Sequence, residues 1–184
     1  ICVGPHSPIR FAARRFLEHR FERRLMVGHP AYRDAWQDLL AEQGGSFAEG
    51  KAAARAAVAL AAARTLAQGG VIGIAGDQED AQAGLPVIIG DRRHHLVHGL
   101  AELAVATGAT ILPMYTQLLM DGRIRIQFLA PLAWERRQTR DELIRQIVQQ
   151  YAACQTNLWR QAPGALQEST IKRHLACERA SESS

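Results

Sequence analysis

The feature that most limits the fold of this chain is a short apolar run bounded by glycines. Val71-Ile72-Gly73-Ile74-Ala75 carries no charge and lies between Gly69-Gly70 and Gly76. A run so short and uniformly apolar reads as a strand covered on both faces, which is the habit of parallel sheets clothed by helices. An Ala-rich stretch from Phe47 to Gln68 precedes it, with Gly69-Gly70 placed as a helix C-terminal signal. Ala109-Thr110-Ile111-Leu112-Pro113-Met114 is a second buried strand, and Leu96 to Thr107 between them is an apolar helix closed by Gly108.

The rest of the chain continues the alternation. Ile1 to Val3 reads as the end of a strand. Ser7-Pro8 reads as an N-cap with Pro at the first helical position, opening a helix from Ile9 to about Arg24. Tyr32 to Ala41 is a short helix with Trp36, Leu39 and Leu40 on one side. Leu85 to Gly90 is an apolar segment whose Pro86 confines it to an edge or an irregular place. Gln117 to Leu129 reads as a hairpin turning at Asp121-Gly122. Asp141 is the expected N-cap of a helix running to about Gln161, stopped before Pro163. This order predicts an α/β domain with a mixed, largely parallel sheet flanked by helices. Ligands of such sheets gather at the carboxyl ends of the strands, so the loop after Ala75 is the first place to look for a site.

Composition narrows the class. The chain has 184 residues, 47% hydrophobic and 22% charged, which fits one globular domain or most of one and excludes wholesale disorder. Three widely spaced cysteines, Cys2, Cys154 and Cys177, fit free thiols rather than a disulfide framework. The nearest approach to a membrane span, Ala52 to Ile74, is interrupted by Arg55 and Arg64. Net charge is +4, and residues 1–40 hold seven Arg against four acids. That excess suits phosphate groups, whether of lipid, nucleotide or nucleic acid. Arg-rich stretches without interleaved aromatics are a poor match to single-strand nucleic-acid platforms.

Four places carry candidate chemistry. Asp77-Gln78-Glu79-Asp80 sets three carboxylates at a strand end, where they can bind a cation or orient a hydroxyl; the alternative is a solvated acidic loop. His94, His95 and His98 cluster before a helix; His94 and His98 have zinc spacing but no companion ligand in sequence, which favours a polar helix start. His29 and Asp34 fit an H-x4-D spacing for a base and its orienting carboxylate. Arg20, Arg23 and Arg24 follow one another at the end of the first helix. No G-x-S-x-G, P-loop or G-x-G-x-x-G occurs.

Taken together, Leu66-Ala67-Gln68-Gly69-Gly70-Val71-Ile72-Gly73-Ile74-Ala75-Gly76-Asp77-Gln78, Leu85-Pro86-Val87-Ile88-Ile89-Gly90, Gly99 to Pro113 with its Leu103-Ala104…Thr107-Gly108-Ala109 core, and Asp121-Gly122 followed by Ala130-Pro131-Leu132 resemble, in order and spacing, blocks of the bacterial lipid A biosynthesis lauroyl/myristoyl acyltransferases, a lysophospholipid acyltransferase-like family. Ser7-Pro8 followed by Arg20 resembles the family segment that comes after its catalytic motif. The resemblance implies a glycerolipid acyltransferase-like fold, N-terminally incomplete, with residues 1–175 as the C-terminal part of one domain and 176–184 as a disordered polar tail. The family's His-x4-Asp/Glu motif would then lie before Ile1, and the late Trp-rich block is replaced here by Gly164 to Ser169.

The implied activity is transfer of a fatty acyl group from a thioester carrier, acyl carrier protein or coenzyme A, to a hydroxyl of a lipid or glycolipid, on the cytoplasmic face of the inner membrane. The implied roles are Asp77 in catalysis, with His29 and Asp34 as a weaker alternative pair. Arg20, Arg23, Arg24, Gln78, Pro86, Val87 and Ile88 would bind substrate. No metal or cofactor is expected, and no nucleic-acid partner. The alternative is a non-catalytic lipid- or partner-binding module lacking the dyad.

Overall fold

The computed structural model describes residues 1–5, 7, 9–27, 50–134 and 138–180. Its strands are β1 (Cys2–Gly4), β2 (Arg24–Val27), β3 (Val71–Ala75), β4 (Leu85–Ile89), β5 (Arg92–Leu96), β6 (Leu112–Leu118) and β7 (Ile124–Phe128). Its helices are α1 (Arg10–Arg20), α2 (Gly50–Ala67), α3 (Gly99–Thr107), α4 (Arg140–Gln161) and α5 (Glu168–Ala176). Five strands form one sheet in the order β2-β3-β1-β6-β7. β1 runs parallel to β3 and β6, β2 parallel to β3, and β7 antiparallel to β6. The mixed, mostly parallel sheet expected from the apolar runs is what forms.

Side-chain alternation sends neighbours in a strand to opposite layers. Val3 and Ile72 face a core built with Ala62 of α2, Leu100, Ala101 and Ala104 of α3, and Ile144, Ile147, Val148, Tyr151 and Ala152 of α4. Cys2 and Val71 face the other way, against Ala13 and Leu17 of α1 with Met114. Three helices therefore cover one face and α1 the other, which is why the central strands carry no polar side.

Local signals explain the ends of the elements. Gly69 adopts φ +73°, its N–H donates to Leu66 O, and Gly70 N–H donates to Thr65 O. This pair of bonds is the Schellman closure that a glycine permits after α2. At the other long helix the cap differs from expectation: Thr139, not Asp141, caps α4. Glu142 N–H donates to the Thr139 hydroxyl and the Glu142 carboxylate accepts from Thr139 N–H, a capping box. The β6–β7 loop is one residue longer than a two-residue turn. Gly122 N–H bonds Leu119 O and Leu119 N–H bonds Arg123 O, with Gly122 at φ +80°.

Other expectations are corrected. The first helix ends at Arg20, and Arg24–Val27 is an edge strand rather than more helix. The histidine stretch is not a helix start: Arg92–Leu96 is β5, paired antiparallel with β4 in a separate two-stranded sheet. In the stretch 176–180, Glu178 O accepts from Arg93 N–H and Ala180 N–H donates to Asp91 O, while 181–184 lie outside the described residues. The short helix expected over Tyr32 to Ala41 lies outside the described residues, as do His29 and Asp34.

Ile147 is wholly buried where α4 meets the sheet. Ile147→Ala should cost about 2–5 kcal/mol through lost burial and the cavity left behind, measured as a lower urea midpoint at unchanged m-value.

Candidate functional site

The carboxyl end of β3 is shaped by a residue without a side chain. Gly76 N–H donates to Gly4 O of β1. A Cβ on Gly76 would stand 2.5 Å from Val3 Cγ2 and 2.6 Å from Tyr151 Cε1, so the backbone passes between the two side chains only as glycine. The chain then stays extended, and alternation turns Asp77 and Glu79 to the same side.

The three carboxylates of this loop have three separate tasks. Asp77 is 5% exposed, and its Oδ2 accepts from the Thr170 hydroxyl of α5 at 3.3 Å, with Arg173 Nη2 at 4.0 Å. Asp80 Oδ1 accepts from Gln82 N–H and Ala83 N–H, holding the turn toward β4. Glu79 pairs with the neighbouring hairpin: it bridges Leu96, and its Oε1 lies 3.1 Å from His94 Nδ1. Asp77 and Glu79 share the Arg173 guanidinium, and Asp80 is turned to its own loop.

Beyond Glu79 the polar groups continue inward. His94, 3% exposed on β5, places Nε2 2.8 Å from His174 Nδ1 of α5. The indole of Trp159 lies 4.1 Å from the His174 ring, centroid to centroid. Cys177 Sγ stands 3.7 Å from His94 Nδ1 and donates to Arg173 O. Arg173 Nε is 3.1 Å from Glu79 Oε1, an ion pair whose N–H aims off the hydrogen-bond line.

Charge states follow from these neighbours. Burial works to raise the Glu79 pKa, but the hydrogen bond and charge of His94, the Arg173 guanidinium and a backbone bond at His95 outweigh it, leaving the carboxyl below its ordinary range. Burial, then the neighbouring His94 and Arg92, lower the His174 pKa despite Asp91 and Glu79. Burial and then the Glu79 charge raise the Cys177 thiol against the pull of Arg173 and Arg92. Burial, with Asp77 adding to it, pushes the Tyr151 phenol well up, so it stays protonated while accepting from Gln155 Nε2 at 2.6 Å.

The residues singled out from sequence are not gathered into one pocket. Arg24 pairs with Val71 at the amino ends of β2 and β3, while Asp77 lies past the carboxyl end. Five strand residues rising ~3.3 Å each separate the two ends by roughly 13 Å. Arg23 Nη1 donates to Gln68 O beside the end of α2, and Arg24 Nη1 to Phe21 O and Glu22 O; Arg20 is exposed on α1. Gln78 is exposed, with its carbonyl accepting from Val97 N–H. Pro86, Val87 and Ile88 do not form a single wall, because Val87 is in the core and its two neighbours face outward. His94 and His98 share no helix face; His98 sits at the start of α3, 3.9 Å from Glu102.

The apolar surface that does open lies on the far side of Tyr151. Pro5, Pro113, Met114, Leu129, Leu158 and Tyr151, with Tyr115 and Gln155, line a shallow indentation whose cavity volume is about 10 Å³, room for one water. The Tyr151 ring is thus shared between this cleft and the Gly76 corner.

Sequence reasoning overlooked α5. Its Thr170, Arg173, His174 and Cys177 fall at i, i+3, i+4 and i+7, one helical stripe. The stripe is polar, so a search for apolar periodicity passed over it. Comparison with protein-family models and with curated proteins finds no match.

Gly76→Ala tests the corner. Overpacking against Val3 and Tyr151 should destabilise by ~1–3 kcal/mol, read as a lower thermal midpoint; an unchanged midpoint would mean that Tyr151 swings clear without cost.

Proposed function

We propose that the chain serves acyl transfer, as the C-terminal part of a lipid A-type acyltransferase. A fatty acyl group passes from the thioester of acyl carrier protein or coenzyme A to a hydroxyl of a lipid or glycolipid, at the cytoplasmic face of the bacterial inner membrane. A base takes the hydroxyl proton, the alkoxide oxygen bonds the thioester carbonyl carbon, and the C–S bond breaks to release the carrier thiol. In this reading the base is the histidine of the His-x4-Asp/Glu motif that the resemblance puts before Ile1. Asp77 acts as a positioning residue, holding α5 over the strand end through Thr170 and Arg173.

The observation that carries the proposal is the shallow apolar indentation lined by Pro5, Pro113, Met114, Leu158 and Tyr151, which an acyl chain would widen on entry. Each methylene buried there contributes about 0.8 kcal/mol. Support for a membrane surface comes from the β6–β7 tip, where Leu118, Met120 and Ile124 are exposed beside Arg125 and beside an Arg123 that pairs with Asp121. An apolar tip carrying Arg125 beyond that pair suits anionic head groups, at about 1 kcal/mol per cation near the surface. Among the described residues no helix is long and apolar enough to cross a membrane.

The test uses protein that includes the residues before Ile1, a long-chain acyl thioester and a glycolipid acceptor, with the product followed by mass. Transfer is expected. Leu158→Trp fills the cleft; excluding two methylenes corresponds to roughly tenfold lower turnover on long chains than on short ones. Equal loss at every chain length would remove the cleft from the proposal. Lipid binding without transfer would make the protein the non-catalytic module instead.

A further inference from the structure

Three groups of different chemistry meet where β5, the loop after β3 and the end of α5 come together. They are Glu79 Oε1, His94 Nδ1 and Cys177 Sγ, all within 4.8 Å of one another. They are separated by up to 98 positions in the chain, from 79 to 177, so only the fold brings them into contact. The Nδ1–Oε1 distance is 3.1 Å and the Nδ1–Sγ distance 3.7 Å. A tetrahedral zinc with ordinary bond lengths would set these edges at roughly 3.4 and 3.6 Å. Both edges that meet at His94 Nδ1 are close to those values, and the Oε1–Sγ edge is at most 4.8 Å.

We propose that Glu79, His94 and Cys177 form a divalent metal site of zinc type. The donor set decides the class of ion. One nitrogen, one sulfur and one oxygen suit zinc and its neighbours, whereas calcium and magnesium take oxygen ligands. Binding removes the Cys177 proton to solvent and leaves a thiolate on the metal. Three protein ligands leave a fourth position for water or another donor.

The surroundings match a ligand histidine. The ring nitrogen of His94 that faces away from the triangle, Nε2, is 2.8 Å from His174 Nδ1, and Trp159 packs on the His174 ring. A ligand imidazole whose second nitrogen is hydrogen-bonded is held in one tautomer and one orientation. Arg173 is the competing feature. Its guanidinium stands beside Glu79 Oε1, so metal and arginine contend for one carboxylate oxygen. Metal binding displaces this 3.1 Å ion pair, and the Arg173 side chain, 39% exposed, has solvent to turn toward.

Cobalt(II) titration of the reduced, chelator-treated protein tests the site, because cobalt takes zinc's place and absorbs. One equivalent should give tetrahedral visible bands and a near-ultraviolet thiolate-to-cobalt band, and zinc should displace both. Cys177→Ser, at a half-buried position, should keep its circular dichroism and lose the thiolate band, although Cys2 and Cys154 remain. His174→Gln should keep the band and bind cobalt ~10–100-fold more weakly. If Cys177→Ser fails to fold, Glu79→Gln replaces it and should weaken binding at least about tenfold while keeping the band. No thiolate band in the wild type, or an unchanged band in Cys177→Ser, overturns the proposal.

Discussion

The architecture at the functional end of this sheet depends on the close approach of one backbone segment to two side chains. Gly76 runs between Val3 and Tyr151, and its N–H bonds Gly4 O. That contact ties β1 to β3 at their carboxyl ends and presses Tyr151 of α4 against the sheet. With the chain held there, Asp77 cannot turn to solvent. It meets Thr170 and Arg173 instead, and Glu79 two residues on meets His94. A buried carboxylate is tolerated only where donors surround it, so the packing of one glycine dictates that α5 must bring polar groups rather than apolar ones.

This explains which parts of the chain could be read from sequence. β3 and the helices on its flanks were legible because burial on both faces removes every polar residue, and Gly69 and Gly108 mark helix ends by backbone need. β5 was not legible. Arg92-Arg93-His94-His95 has no apolar alternation, since the inward side of this strand is lined by an imidazole with polar partners on α5. β2 was missed for a related reason: an edge strand of four residues, opening on Arg24, has too little apolar pattern to outweigh the preceding helix. The cap of α4 was misplaced by two residues because Thr139 and Asp141 are both good caps, and only the reciprocal bond from Glu142 separates them. For the site, the importance of the loop after Ala75 was visible from the strand-end rule, but its partners on α5 lie about a hundred residues away and no local pattern announces them.

Charge is divided between the two ends of β3. At the amino end, Arg23 and Arg24 donate to main-chain carbonyls of Phe21, Glu22 and Gln68, which helix and strand ends leave without partners. At the carboxyl end, the acids face Arg173, His94 and His174. The basic surplus read from the first forty residues is therefore in part a set of chain-end ties, and its nearness in sequence to Ser7-Pro8 says little about what lies beside Asp77.

The same division bears on the acyl-transfer reading and on the metal site together. An alkyl chain needs a dry, apolar wall, and on the β6 side of Tyr151 the surface is a shallow one of Pro113, Met114 and Leu158. The other side of Tyr151 leads to Gly76, and from there the loop runs to charged and polar side chains on β5 and α5. One buried phenol thus separates a greasy surface from a polar one, and its hydroxyl is held by Gln155 on its own helix. A metal at Glu79, His94 and Cys177 would lock α5 to β5 without intruding on the cleft, because no residue belongs to both sets. The polar and apolar sides are thus served by two faces of the same helix α4: Trp159 toward His174, and Cys154 and Leu158 toward the indentation.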